Sequence, residues 1–194
     1  MNTVSRVIRN TGFLYMKMGI TMFVSLYTTR LVLNALGVDD FGIFGMVAGV
    51  IAMLAFLNAS MAAATQRFMS YAEGEGNREK QRIIFNISVV LHLAIAVVVA
   101  ILLYAAAPFL FGHFLNIPEG RIFAARCVYW AMIASTVFSM LGVPYEAMLN
   151  AHENMLYFAV IGVLESFLKL GAALLVVHVL ADKLILYGVL MAGI

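Results

Sequence analysis

The chain has 194 residues, of which 64% are hydrophobic and only 11% charged, with a mean hydropathy of +0.99. That composition excludes an ordinary soluble domain and points to a polytopic integral membrane protein. The net charge is +2, and the basic residues cluster at the ends of apolar runs, so nucleic acid is excluded as a partner and the lipid bilayer takes its place. The single cysteine, Cys127, excludes a disulfide framework and a cysteine-based metal cluster.

In chain order, apolar runs extend over Gly12 to Leu36, Phe41 to Ala64, Ile83 to Ala107, Ile122 to Val143 and Met155 to Leu180. Each exceeds the roughly 20 residues a helix needs to cross about 30 Å of hydrocarbon. A sixth run begins at Leu184 and is still apolar at Ile194, after about 16 Å of helix. This predicts an all-α transmembrane bundle over residues 1–194, truncated in its sixth helix.

Turn residues separate the runs. Gly37 to Asp40 predicts a tight turn, Pro108 and Pro118 bracket the third connection, and Pro144 follows the fourth run, so no proline is expected inside a span. The stretch from Thr65 to Arg82 mixes Arg67, Arg78, Lys80 and Arg82 with Glu73, Glu75 and Glu79 around Gly74 and Gly76. It reads as a polar connection with helical ends, in water or at the interface.

Arg6, Arg9, Arg67, Arg78, Lys80 and Arg82 fall on one side of the resulting topology, against Arg121, Arg126 and Lys183 on the other. The excess predicts a cytoplasmic N-terminus. The connection after Pro144 carries Glu146, His152 and Glu153 and adds nothing to that assignment. A cleaved leader is disfavoured, because Lys17 interrupts the first run and no A-x-A site closes it.

An ionisable side chain at mid-bilayer costs about 2.5–3.5 kcal/mol, so such residues are the candidates for function. Lys17 lies near the start of the first run and Arg30 near its end. Either they snorkel to the headgroups in opposite directions, or they face a polar cavity and bind an anionic headgroup. Tyr15, Tyr27, Thr28, Thr29 and Asn34 give the same helix further polar groups. Glu165 and Lys169 stand at i, i+4 in the fifth run, acid before base, the favourable order for an ion pair. That pair is either self-neutralising packing or a gated site in which Lys169 exchanges Glu165 for a phosphate oxygen. Both versions place it facing inward.

Other patterns carry less. Gly45 and Gly49 form a GxxxG match which, with Ala48, Ala52 and Ala55, predicts a small-residue packing face. Asn58-Ala-Ser60 and Asn86-Ile-Ser88 match the glycosylation sequon inside apolar runs, where no transferase reaches. His152-Glu153 lacks the second histidine of a zinc-protease helix, since Leu156 holds that place, and His92, His113 and His178 show no ligand spacing. Neither a metal nor a cofactor is indicated. Gly74-Glu-Gly76 follows no strand and has no phosphate-loop lysine, so nucleotide binding is disfavoured.

The segment Arg30-Leu-Val-Leu-Asn-Ala-Leu-Gly37-Val-Asp-Asp-Phe-Gly42-Ile-Phe-Gly45 resembles the polysaccharide transporter, or O-antigen flippase, branch of the multidrug/oligosaccharidyl-lipid/polysaccharide exporter superfamily. Gln66 to Ser70, Pro144 to Ala147, Ala151 to Glu153, Leu164 to Leu170 and Asp182 to Gly188 support the likeness. The resemblance implies a two-lobed, alternating-access transporter of which this chain is the first lobe, and no enzymatic activity. It implies a polyprenyl-diphosphate-linked oligosaccharide as substrate, moved from the cytoplasmic to the outer leaflet of the cell inner membrane, and a polysaccharide polymerase as partner. Lys17, Arg30 and Lys169 are the residues matched to headgroup contact. The alternative is a cation-coupled multidrug exporter. Its embedded acid on the first helix is missing here, where Lys17 and Arg30 would repel cationic drugs. A membrane scaffold without transport is a third possibility, with Glu165 and Lys169 as glue.

Overall fold

The computed structural model describes residues 3–151, 155–179 and 181–194. His152 and Glu153 lie outside the described residues, as does Leu180 at the end of the fifth apolar run. Every extended element described is helical: α1 (Thr3–Ala52), α2 (Ala55–Gly74), α3 (Arg78–Phe109), α4 (Ile122–Ala151), α5 (Met155–His178) and α6 (Lys183–Ala192). A π-helical turn, Leu110–Phe114, ends α3, and a 3₁₀ turn, Glu119–Arg121, leads into α4.

Among the described residues, four segments are long and apolar enough to cross a membrane: Ile8–Ala52, Arg78–Phe114, Glu119–Ala151 and Met155–His178. Their outward faces carry large apolar side chains, such as Phe23 at 78% and Phe138 at 73% exposure. In water that would be ruinous; against lipid it costs nothing, and the helices satisfy their own backbone groups.

The first predicted turn shrinks to one residue. Gly37 has φ 81° and ψ 171°, and Val38 to Asp40 are already helical, so α1 consists of two limbs, residues 3–36 and 38–52. Only glycine adopts that backbone without strain. The run from Phe41 to Ala64 is divided as well, where Leu54 N–H bonds to Ile51 at 3.0 Å instead of continuing the i→i−4 ladder. Its halves fall in the second limb of α1 and the first half of α2.

Three expectations change. The connection from Thr65 to Arg82 is helical except for Glu75 to Asn77, and Thr65, Met69 and Ala72 are buried, because α2 packs against α3 and α4. Asn77 then caps α3, its side chain accepting from Lys80 N–H at 2.9 Å. Pro108 and Pro144 lie inside helices α3 and α4. Each deprives the carbonyl four residues earlier of its partner, which is tolerated because the π turn absorbs the first and buried packing holds the second. The GxxxG face of Gly45 and Gly49 is exposed, with nothing within 4 Å of a Cβ built at either position. The limb instead buries Ile43 and Val47.

Helix α4 is the hub, packing against α1, α2, α3, α5 and α6. Its face of Ala124, Ala125, Val128, Tyr129 and Ile133 forms the main core with Val99 and Leu103 of α3 and Leu184 of α6. Tyr129 is fully buried because its hydroxyl donates to the Leu103 carbonyl at 2.7 Å. Close approach of α6 is permitted by Gly188, where a Cβ would stand 2.7 Å from Val128 Cγ2. A smaller cluster of Val32, Ala173, Val176 and Tyr187 joins α1, α5 and α6.

Arg121 fixes one end of this bundle. Its guanidinium pairs with Asp40, just after the α1 break, and donates to Asp182 at 2.7 Å. Asp182 also caps α6, accepting from Leu184 and Ile185 N–H. The break within α1, the α3–α4 connection and the α5–α6 connection therefore meet at one end, while the α2–α3 connection lies at the other. Asp40 is only 8% exposed, so removing its partner strands a buried carboxylate. Arg121→Gln is expected to lower stability by about 1–3 kcal/mol, measured as thermal unfolding in detergent; an unchanged midpoint would show that the clamp is decorative.

Candidate functional site

The polar groups of α1 line up because threonines and serines recur at helical spacing: Thr21, Ser25, Thr28 and Thr29. In an apolar helix a hydroxyl needs a partner, and these bond back to their own backbone. Thr21 donates to Met18 O at 3.1 Å, Thr28 to Val24 O at 2.7 Å and Thr29 to Ser25 O at 2.9 Å. Ser166 on α5 does the same to Gly162 O at 2.9 Å. Each oxygen keeps a lone pair able to accept a further hydrogen bond.

These hydroxyls face one another across a groove of about 550 Å³ between α1, α5 and α6, closed on the α6 side by Tyr187 and Met191. Among the described residues, Lys169 supplies the one charged side chain of its lining. Lys169 Nζ donates to Glu165 Oε1 at 2.5 Å, with the two side chains 38% and 46% exposed. The pair thus stands at the open edge of the groove, whose lining includes Lys169 and not Glu165.

The other two sequence candidates are not brought to Lys169. Lys17 lies on the α5 side of α1, its ammonium 3.7 Å above the Phe158 ring and its stem against the bare backbone of Gly162. It does not line the hydroxyl groove; it borders a second, apolar groove of about 350 Å³ with Phe13, Ile20, Val163 and Phe167. Arg30 is exposed and makes no ion pair among the described residues. Tyr15, Tyr27 and Asn34 are exposed too and line none of these grooves.

Sequence reasoning missed one polar cluster. His92 is 1% exposed, and its Nδ1 lies 2.7 Å from the Ser88 carbonyl, which fixes the ring proton on Nδ1. Ser88 in turn donates to Thr65 at 3.2 Å across the α2–α3 interface. His92 Nε2 and Asn58 Oδ1 are buried without a hydrogen-bond partner among the described residues. The i, i+4 spacing of Ser88 and His92 was the available signal. No group of three His, Cys, Asp or Glu able to hold a metal occurs among the described residues.

Apolar helices of membrane-crossing length packed into one bundle define a multi-pass membrane protein. Residues 15–175 match the MatE family, and the chain belongs to it. Members of that family, within the exporter superfamily named above, are membrane transporters and not enzymes. The chain is also similar to a protein of Bacillus subtilis (strain 168) described as the uncharacterized membrane protein EpsK, with 26% identity over 110 residues. That match covers 55% of this chain and 21% of the relative, so the chain spans a minor part of that protein's length. No solved structure matches the chain.

The groove predicts an accessibility pattern. With Cys127 replaced by serine, a cysteine at Ser25 should react with a water-soluble thiol reagent, while one at the buried Val32 should be protected. Equal protection at both would mean that water does not reach the groove.

Proposed function

We propose that this chain forms the first lobe of a transporter that flips a polyprenyl-diphosphate-linked oligosaccharide from the cytoplasmic to the outer leaflet of the cell inner membrane, for surface polysaccharide synthesis. The observation that carries the reading is the groove between α1, α5 and α6, whose lining combines hydroxyls with a single ammonium, that of Lys169, among the described residues. A diphosphate gains charge-assisted hydrogen bonds there, and hydroxyl oxygens suit the sugar. The apolar groove beside Lys17 fits a hydrocarbon chain. Lys17 and Arg30 would meet the substrate at other stages of its passage, as lobes rock between access states. The excess of basic residues at the α2–α3 connection supports a cytoplasmic position for that end of the bundle and for the N-terminus in this reading. A polysaccharide polymerase at the outer leaflet is the partner this reading implies.

A specific observation favours a second reading. Glu165 is half exposed beside the groove with Lys169 as its partner, and a carboxylate so placed suits a cation-coupled exporter of organic cations. One pair of variants separates the two. For a flippase, Lys169→Gln removes the phosphate's partner, worth roughly 1.5–3 kcal/mol, about ten- to a hundredfold in affinity. Surface polysaccharide should fall accordingly, while Glu165→Gln, which frees the ammonium, leaves export intact. The reverse order, with Glu165→Gln inactive and cells sensitised to cationic dyes, would establish the second reading instead.

A further inference from the structure

At the end of the bundle opposite Arg121, a cavity of about 270 Å³ lies where α2 ends, α3 begins and α4 ends. Arg78 and Arg82, one turn apart on α3, both line it. Like charges at i, i+4 repel, and here they also sit at the positive end of the helix dipole, so the arrangement costs free energy twice.

Among the described residues, the nearby carboxylates do not relieve it. Glu75 accepts from Lys80 Nζ at 2.7 Å, a hydrogen bond that holds its carboxyl below the ordinary carboxylate range. Glu73 accepts from the Gln81 side chain. Glu79, although in the first turn of α3, does not line the cavity, and neither arginine pairs with a carboxylate among the described residues. The floor is apolar, formed by Met69, Phe85 and Met148, with Phe85 held edge-on by Tyr145 at 5.2 Å between ring centroids.

Two guanidinium forks over an apolar floor, at the start of the apolar span Arg78–Phe114, match a phosphate ester attached to a hydrocarbon chain. We propose that this cavity binds the phosphate of an anionic membrane lipid. The bound lipid would neutralise the arginine pair and pin the α2–α3 connection to the end of α4. The proposal concerns a site remote from the α1–α5–α6 groove and stands whether or not the transport reading above is correct.

The test is native mass spectrometry of the chain purified in detergent and offered equal amounts of phosphatidylglycerol and phosphatidylcholine. One phosphatidylglycerol is expected to be retained in preference. R78Q/R82Q should weaken it about thirtyfold, at the usual contribution of a basic residue near an anionic surface. R67Q, an exposed arginine at the same end but outside the cavity, should change nothing. R78K/R82K keeps the charge without the fork and should fall between. Inorganic diphosphate, added in parallel, separates the sources: stabilisation by it that is lost in R78Q/R82Q, without any lipid preference, would retain the phosphate site but make its ligand soluble. Equal lipid binding by wild type and R78Q/R82Q with no effect of diphosphate, or an equal loss in R67Q, would overturn the proposal.

Discussion

The bundle depends on one guanidinium. Arg121 joins Asp40, next to the single-residue break in α1, to Asp182, the cap of α6, so three connections converge on one point. With that end fixed, α1, α5 and α6 share Val32, Val176 and Tyr187 in a small core, and beyond it they diverge enough to leave the hydroxyl groove open. Packing continues on the other flank, where α4 carries the larger core against α3. The bundle is thus clamped by ion pairs at one end and grooved between α1, α5 and α6.

Charge is placed sparingly throughout. Lys17 covers its ammonium with the face of Phe158, Lys169 is neutralised by Glu165, and Arg121 by two carboxylates. The cations differ in how easily they can be taken from their partners. Asp40 is buried against Arg121, whereas the side chains of Lys169 and Glu165 are 38% and 46% exposed.

Much of the fold was legible in the sequence, because twenty-residue apolar runs have few outcomes in lipid. The all-helical class followed from the runs, and the membership of an exporter superfamily from the motif around Gly37. The i, i+4 pairing of Glu165 with Lys169 also followed directly, since helix geometry alone sets it. What misled were signals whose meaning depends on neighbours. GxxxG at Gly45 suggested packing but faces outward, while the close approaches occur at Gly162 and Gly188, which belong to no motif. Pro144 suggested a helix end, yet buried packing carries α4 past it to Ala151. Long-range partners such as Asp40 and Arg121, 81 residues apart, leave no local trace. The buried trio of Thr65, Ser88 and His92 needed the α2–α3 pairing before it could be seen.

The central claim is that the substrate is a lipid-linked oligosaccharide. The most direct measurement is mass spectrometry of lipid extracts from cells in which the gene is deleted. The account predicts that a polyprenyl-diphosphate-linked oligosaccharide accumulates while the matching surface polymer disappears. Unchanged lipid-linked intermediates, with surface polymer still made, would contradict it.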